Sequence, residues 1–192
     1  MSTNTSTARH LAIYAGSFDP ITLGHLDVLR RARHLFDAIV LGIGRNVDKQ
    51  PLFDLAEREQ IVRYLVDEQL REYPDGCPVT VQSYTGLTVD FARDQRACAI
   101  VRGIRNISDL AHETQLAITN RQVADIETVF IVTGEEYAYT SSSLIRQVAA
   151  LGGSVDRLRR IVSPYVIDRL KTKQDDPSAP LSRLVRDDSI ET

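Results

Sequence analysis

The chain has little cysteine: Cys77 and Cys98 are its whole complement, and neither belongs to a CxxC or Cys/His cluster. A disulfide framework or a zinc site is therefore disfavoured. It also lacks any apolar run near the ~18 residues that a membrane helix needs. The first residues, Met1 to Thr7, have no basic n-region and no apolar h-region, so they do not read as a secretory signal. A cytoplasmic location is the default expectation. Basic excess is missing as well, with 23 Lys and Arg against 26 Asp and Glu and a net charge of −3. That balance, without interleaved aromatic and basic residues, disfavours a nucleic-acid binder. Phosphate-bearing small molecules stay open, because a few well-placed cations suffice for them. There is no internal repeat.

At 192 residues the chain fits one domain. The polar stretch 1–9 and the Pro/Ser/Asp-rich stretch 174–192 read as disordered, with Leu181, Leu184 and Val185 as candidates for docking. The domain spans 10–173. Within it, Leu11 to Ala15 is a short apolar run ending at Gly16, the pattern of a buried strand. A helix follows from about Gly24, with Val28, Leu29, Ala32, Leu35 and Phe36 as its apolar stripe. Ala38 to Ile43 is a second strand. Asp54 and Glu57 cap a helix that buries Leu55, Ile61, Val62, Leu65, Val66 and Leu70. Val79 to Val81 is a third strand, followed by a short helix from Val89 to Arg96. Cys98 to Val101 is a fourth, which makes Cys98 a core residue and leaves Cys77 in a loop. Ser108 would cap the next helix, Thr128 to Val132 is the fifth strand, and Ser141 and Ser163-Pro164 open the last two helices.

Five strand-then-helix units call for an α/β fold: a Rossmann-like, doubly wound, five-stranded parallel sheet with helices on both faces. Ligands in such sheets bind beyond the carboxyl ends of the strands. The segments 16–25, 44–50, 84–88, 102–106 and 133–143 then share one rim.

Three of these, and the helix that follows 102–106, carry unusual polar chemistry. In Gly16-Ser17-Phe18-Asp19-Pro20-Ile21-Thr22-Leu23-Gly24-His25 a strand ends at glycine and a helix opens on Gly24-His25, a setting that attracts phosphate. Gly24 would let a ligand approach the backbone, with His25 facing the same anion. Tyr139-Thr140-Ser141-Ser142-Ser143-Leu144-Ile145-Arg146 puts three serines at a helix start with an arginine one turn in. Arg102-Gly103-Ile104-Arg105-Asn106 offers two guanidinium forks suited to phosphate oxygens. Beyond it, Asp109, Glu113 and Asn120 fall on one helical stripe. Each residue alone is explained by a turn, a cap or a solvated surface; the combination on one rim is not.

Together these segments resemble, in order and spacing, the bacterial phosphopantetheine adenylyltransferases, of the nucleotidylyltransferase superfamily with its T/HxGH and ISSS-like motifs. The resemblance runs from about Ala12 to Lys173. It implies Mg²⁺-dependent transfer of AMP from ATP to 4′-phosphopantetheine, giving 3′-dephospho-CoA and pyrophosphate in coenzyme A synthesis. It also implies a homohexamer, and raises coenzyme A as a feedback inhibitor. By the same resemblance, His25 and Lys49 are the catalytic positions. Ser17, Lys49, Thr88 and Arg102 are the acceptor contacts. Ser17, Phe18, His25, Gly103, Ile104, Arg105, Glu113, Tyr137, Ala138, Tyr139, Thr140, Ser141, Ser142 and Ser143 are the ATP contacts. No protein ligand is expected for Mg²⁺, which would be bound mainly through phosphates. Where the family commonly has tyrosine and phenylalanine, this chain has His112 and Leu110. Rival readings are a nucleotidylyltransferase of the nicotinamide mononucleotide or cytidylyl type, and a non-catalytic nucleotide-binding regulator.

Overall fold

A computed structural model describes residues 10–45 and 50–176. Lys49, the stretch 1–9 and the tail residues Leu181, Leu184 and Val185 lie outside the described residues.

Five strands, β1 (Leu11–Gly16), β2 (Ala38–Ile43), β3 (Val79–Ser83), β4 (Ala99–Ile104) and β5 (Glu127–Val132), form one parallel sheet. Their order is β3-β2-β1-β4-β5. The chain thus winds outward from β1 in one direction and then restarts on its other side. The crevice that ligands use in open α/β sheets lies at that reversal, past the ends of β1 and β4. The helices are α1 (Leu23–Ala32), α2 (Leu55–Glu72), α3 (Thr88–Asp94), α4 (Ile107–Ala124), α5 (Ser142–Ala150) and α6 (Pro164–Asp175).

Side chains alternate across a strand, and β1 shows the consequence. Ala12 and Tyr14 join a large core with Val28, Leu29, Phe53, Ile61 and Ile145, under α1, α2, α5 and α6. Ile13 and Ala15 join a smaller one with Val40, Val89, Ala92 and Ile100, under α3 and α4. The smaller side is thinly covered. Of the 18 residues in α4, Glu113 alone is buried, while Ile107 is 85% exposed and Leu110, Leu116, Ile118 and Val123 are exposed too.

Several local expectations need correction. Leu35 is exposed because α1 stops at Ala32, before the apolar stripe does. In α2 the deepest positions include Arg58 and Gln69, whereas Leu55 and Leu70 are only partly buried. The cap of α4 is Asn106, whose side chain accepts the Asp109 N–H at 2.8 Å, two residues before Ser108. The cysteines are reversed. Cys98 precedes β4 and is exposed. Cys77 is buried, because the buried Arg33 gathers the carbonyls of Tyr73 (2.7 Å), Cys77 (2.9 Å) and Pro74 (3.5 Å) and pulls that loop inward.

Candidate active site

A cavity of about 300 Å³ opens at the end of β1, between the β1–α1 junction, the β4–α4 junction and the start of α5. The β1–α1 junction is built from within. Phe18 takes a left-handed backbone conformation (φ 48°) that turns the chain off the strand. Its ring goes into the core, edge-on to Tyr14 and to His25. A side chain on Gly16 would meet that ring at 3.0 Å.

Thr22 caps α1 in a reciprocal arrangement where histidine takes the place of the usual Glu or Gln. The Thr22 N–H donates to His25 Nδ1 at 3.0 Å, and the Thr22 hydroxyl lies 2.9 Å from the same nitrogen. A backbone N–H is always a donor, so Nδ1 accepts and the neutral ring carries its proton on Nε2. Burial, then the charges of Arg105 and Arg102, push the His25 pKa down to about 4. At neutral pH the side chain is thus an uncharged donor at a helix N-terminus, where the first-turn amides have no helical partner.

The β4–α4 side is differently arranged. Arg102 makes a two-pronged pair with Glu113 (2.7 and 2.5 Å) and donates to the Ala15 carbonyl at 2.8 Å. Burial works against its charge, but Glu113 outweighs burial and raises its pKa. Arg105 grips Asp109 with two nitrogens (2.7 and 2.9 Å) and reaches the Thr140 carbonyl, which ties this loop to the serine segment. Burial would raise the Asp109 pKa; the Arg105 contacts lower it below the usual carboxylate range.

The serines at α5 all have protein partners. Ser141 caps the helix through the Leu144 N–H (3.0 Å), Ser142 donates to the Pro20 carbonyl (2.9 Å), and Ser143 accepts from Arg146 (3.0 Å). The segment therefore offers a ligand its helix N-terminus more than free hydroxyls. Arg146, 7% exposed, also donates to the Asp19 carbonyl at 3.0 Å.

The cavity brings together Ser17, Phe18, His25, Arg102, Gly103, Arg105, Glu113 and the run Thr140 to Ser143. Ile104 is buried and does not line it; Tyr137 and Ala138 lie outside it, and Tyr139 is 93% exposed. Thr88 is also outside, at the start of α3, bonded to the Tyr84 hydroxyl at 2.7 Å. Asn120 faces Thr128 on β5. Gly24 lines the cavity, as read, and it also admits the neighbouring segment, since a side chain there would meet Thr140 Oγ1 at 3.0 Å and Tyr137 Cβ at 3.2 Å. Sequence reading overlooked Tyr14, which lines the cavity, and singled out nothing at Thr133, which lines it from the rim segment 133–143. Tyr14 carried one signal, a phenol inside an otherwise aliphatic strand; Thr133 carried only its place just after the fifth strand.

Among the described residues no group of three or more His, Cys, Asp and Glu could hold a metal ion. The two carboxylates facing the cavity, Asp109 and Glu113, are each taken by an arginine. As arranged, neither is an unpaired ligand for a cation. No helix among the described residues is long and apolar enough to cross a membrane.

Residues 13–148 match the cytidylyltransferase-like family. The phosphopantetheine adenylyltransferase of Moorella thermoacetica is 49% identical over 149 residues, covering 77% of this chain and 89% of that protein. That of Rhodopirellula baltica is 45% identical over 169 residues, covering 88% and 90%. In fold, the chain is similar to a solved bifunctional NMN adenylyltransferase/ADP ribose pyrophosphatase from Francisella tularensis. The TM-score is 0.65 at 15% identity, covering 94% of this chain and 54% of the other.

Proposed function

We infer the reaction from one premise: the chain belongs to the phosphopantetheine adenylyltransferase family, within the cytidylyltransferase-like nucleotidyltransferases. It is an enzyme that transfers an adenylyl group to phosphopantetheine. ATP is the donor, 3′-dephospho-CoA and pyrophosphate are the products, and the reaction runs in the cytoplasm on small soluble substrates.

In the proposed step an oxygen of the acceptor phosphate attacks the α-phosphorus of ATP. The bond from that phosphorus to the α,β-bridging oxygen breaks, and pyrophosphate leaves. A phosphomonoester has a second pKa near 6, so the nucleophile is already ionised near neutral pH and needs no general base. What remains is to hold two polyanions in line and to meet the charge that grows on the α-phosphoryl oxygens. The observation that carries the reading is His25, fixed by Thr22 as an Nε2–H donor at the start of α1, inside the cavity. A preorganised donor of this kind is typically worth about 3–4 kcal/mol in the transition state.

We assign Ser17, Lys49, Thr88 and Arg102 to the acceptor. ATP is assigned to the β1–α1 junction, the segment Gly103 to Arg105, Glu113 and the run Tyr137 to Ser143. Mg²⁺ supplies charge neutralisation on the phosphates when bound; among the described residues the carboxylates lining the cavity, Asp109 and Glu113, are both paired with arginines. Assembly into a homohexamer follows from the family resemblance, and the exposed Ile107, Leu110, Leu116, Ile118 and Val123 of α4 are available to contact another copy. Coenzyme A shares the pantetheine arm and would compete for the acceptor side.

The test is pyrophosphate release from ATP on adding 4′-phosphopantetheine and Mg²⁺, with dephospho-CoA identified by mass. Omission of either substrate should abolish release. Release with nicotinamide mononucleotide instead would overturn the assignment of the acceptor.

A further inference from the structure

A buried acid on α1 takes no part in the step above. Asp27 is 6% exposed and sits on the helix that carries His25. Its Oδ2 accepts the Gly134 N–H at 2.9 Å and Arg31 Nε at 3.0 Å, and its Oδ1 accepts Arg30 Nη2 at 2.9 Å. Burial would raise its pKa; the Gly134 amide and the two arginines outweigh burial and lower it, so the carboxylate is charged at neutral pH. Arg30 and Arg31 are both partly solvated, and pairing with them does not require a buried carboxylate. Reaching Gly134, 107 positions away, does.

Gly134 begins the stretch between β5 and α5 that leads into the serine run. This stretch has little packing of its own. Residues Glu135–Tyr137 form a single 3-10 turn with no buried member, and Tyr139 is exposed; from 133 to 141 only Thr140 is buried. Hydrogen bonds hold it instead. The Thr133 N–H donates to the Ile104 carbonyl (3.0 Å), the Gly134 N–H to Asp27, and Arg105 to the Thr140 carbonyl. Of these, the Asp27 bond ties the stretch to α1. The helix is fixed without it, by buried Val28, Leu29 and Ala32 and by the Leu23 N–H on the Ile161 carbonyl (2.9 Å). Loss of the Asp27 acceptor should therefore free the stretch and leave the helix in place.

We propose that Asp27 is a positioning residue for ATP, which latches the 134–140 stretch to the helix that carries His25 before the nucleotide arrives. This rests on the assignment of Tyr137 to Ser143 to ATP made above. The acceptor contacts assigned to described residues, Ser17, Thr88 and Arg102, lie on other segments. Apparent affinity scales with the fraction of protein in the competent arrangement, so a stretch in place about a tenth of the time binds about ten times more weakly.

Three variants test this. Asp27→Ala removes the acceptor. Asp27→Asn has one oxygen for donors on both sides, which weakens the latch at nearly unchanged volume. Arg31→Gln drops an ion pair but keeps the acceptor for Gly134. Each is measured for melting temperature, ATP dissociation constant by calorimetry, KM for phosphopantetheine at saturating ATP, and hydrogen exchange at the Gly134 amide. In folded Asp27→Ala the ATP dissociation constant should rise about tenfold or more, the scale of one hydrogen bond to a charged group, and Gly134 should exchange faster. Asp27→Asn should fall between that variant and wild type. Arg31→Gln should bind ATP within about twofold of wild type, and KM for phosphopantetheine should stay within about threefold throughout. Unchanged ATP binding in a folded Asp27→Ala would overturn the proposal. So would equal weakening of both substrates, or the same loss in Arg31→Gln. An unprotected Gly134 amide in the free wild-type enzyme would overturn it without any variant. Wild-type ATP binding tests the reading on which the proposal rests, while exchange at Gly134 tests the latch without a ligand.

Discussion

The β1–α1 and β4–α4 junctions face each other across one cavity but are held in different ways. At the first, Thr22 occupies His25 Nδ1 and leaves the Nε2 proton for a ligand, while the amides of Leu23 and His25 are already bonded to the Ile161 carbonyl and the Thr22 hydroxyl. At the second, both arginines are already closed on acids, Arg102 on Glu113 and Arg105 on Asp109. A phosphate reaching the first junction meets the Nε2–H donor in place. One reaching the second must share or displace a carboxylate. The lesson is that charge near a cavity is not the same as charge available to a ligand. It also sorts the residues, since groups needing no rearrangement suit transition-state work and latched groups suit substrate selection.

The largest effect should come from the ready half. His25→Ala should lower kcat by at least ~10²-fold with little change in ATP dissociation constant, because the lost contact strengthens only as charge builds. Steady-state kinetics beside ATP titration calorimetry would show it. Near-normal turnover would break the contrast.

The latched half should respond next. Arg102→Ala should raise KM for phosphopantetheine about tenfold and KM for ATP less. Arg102→Lys should recover only part of the loss, because a point charge cannot make the two-pronged contact. Removing the arginine also leaves Glu113 unpaired beside two polyanions, so Arg102→Ala with Glu113→Gln should be milder than Arg102→Ala alone. A double variant that is merely additive would show that the pair does not act as a latch.

A smaller effect concerns stability against pH. The folded pKa of His25, about 4, lies below the ordinary 6.5. As pH falls through that window the unfolded chain takes up the proton first, so stability present above pH 6.5 is lost toward pH 4. His25→Gln should flatten that part of the curve in denaturant titrations at pH 4.5, 5.5 and 7. An unchanged slope would mean that other groups set it.

The smallest effect is expected at the C-terminus. Deleting residues 177–192 should leave the melting temperature within about 2 °C. Deletion from 174 should cost more, because the Gln174 side chain donates to the carbonyls of Ala149 and Gly153 at 3.0 Å each.

Much of this was legible in the residues. Aliphatic runs bounded by glycine give the strands, their alternation with amphipathic helices gives the parallel sheet, and the rim rule brings Ser17, His25, Arg102 and the serine run together. Bonding partners were not legible, because they depend on contacts distant in sequence. Arg146 meets the Asp19 carbonyl 127 positions away, and Gly24 makes room for Thr140, more than a hundred positions on. The cysteines were misread for the same reason: an apolar neighbourhood in sequence suggested that Cys98 is buried, whereas the reach of Arg33 decides for Cys77. The exposed apolar residues of α4 escaped notice because they are spread around the helix.

What separates the two junctions is a neutral His25 with its proton on Nε2, and nitrogen-15 NMR of the imidazole rings reads that state directly. Between pH 5.5 and 8, free enzyme should show Nε2 protonated, Nδ1 as a bare acceptor, and no titration of this ring above about pH 5. Addition of ATP should perturb Nε2 more than Nδ1. A proton on Nδ1, or a ring that titrates near 6.5, would contradict the ready donor and remove the distinction between the two halves of the site.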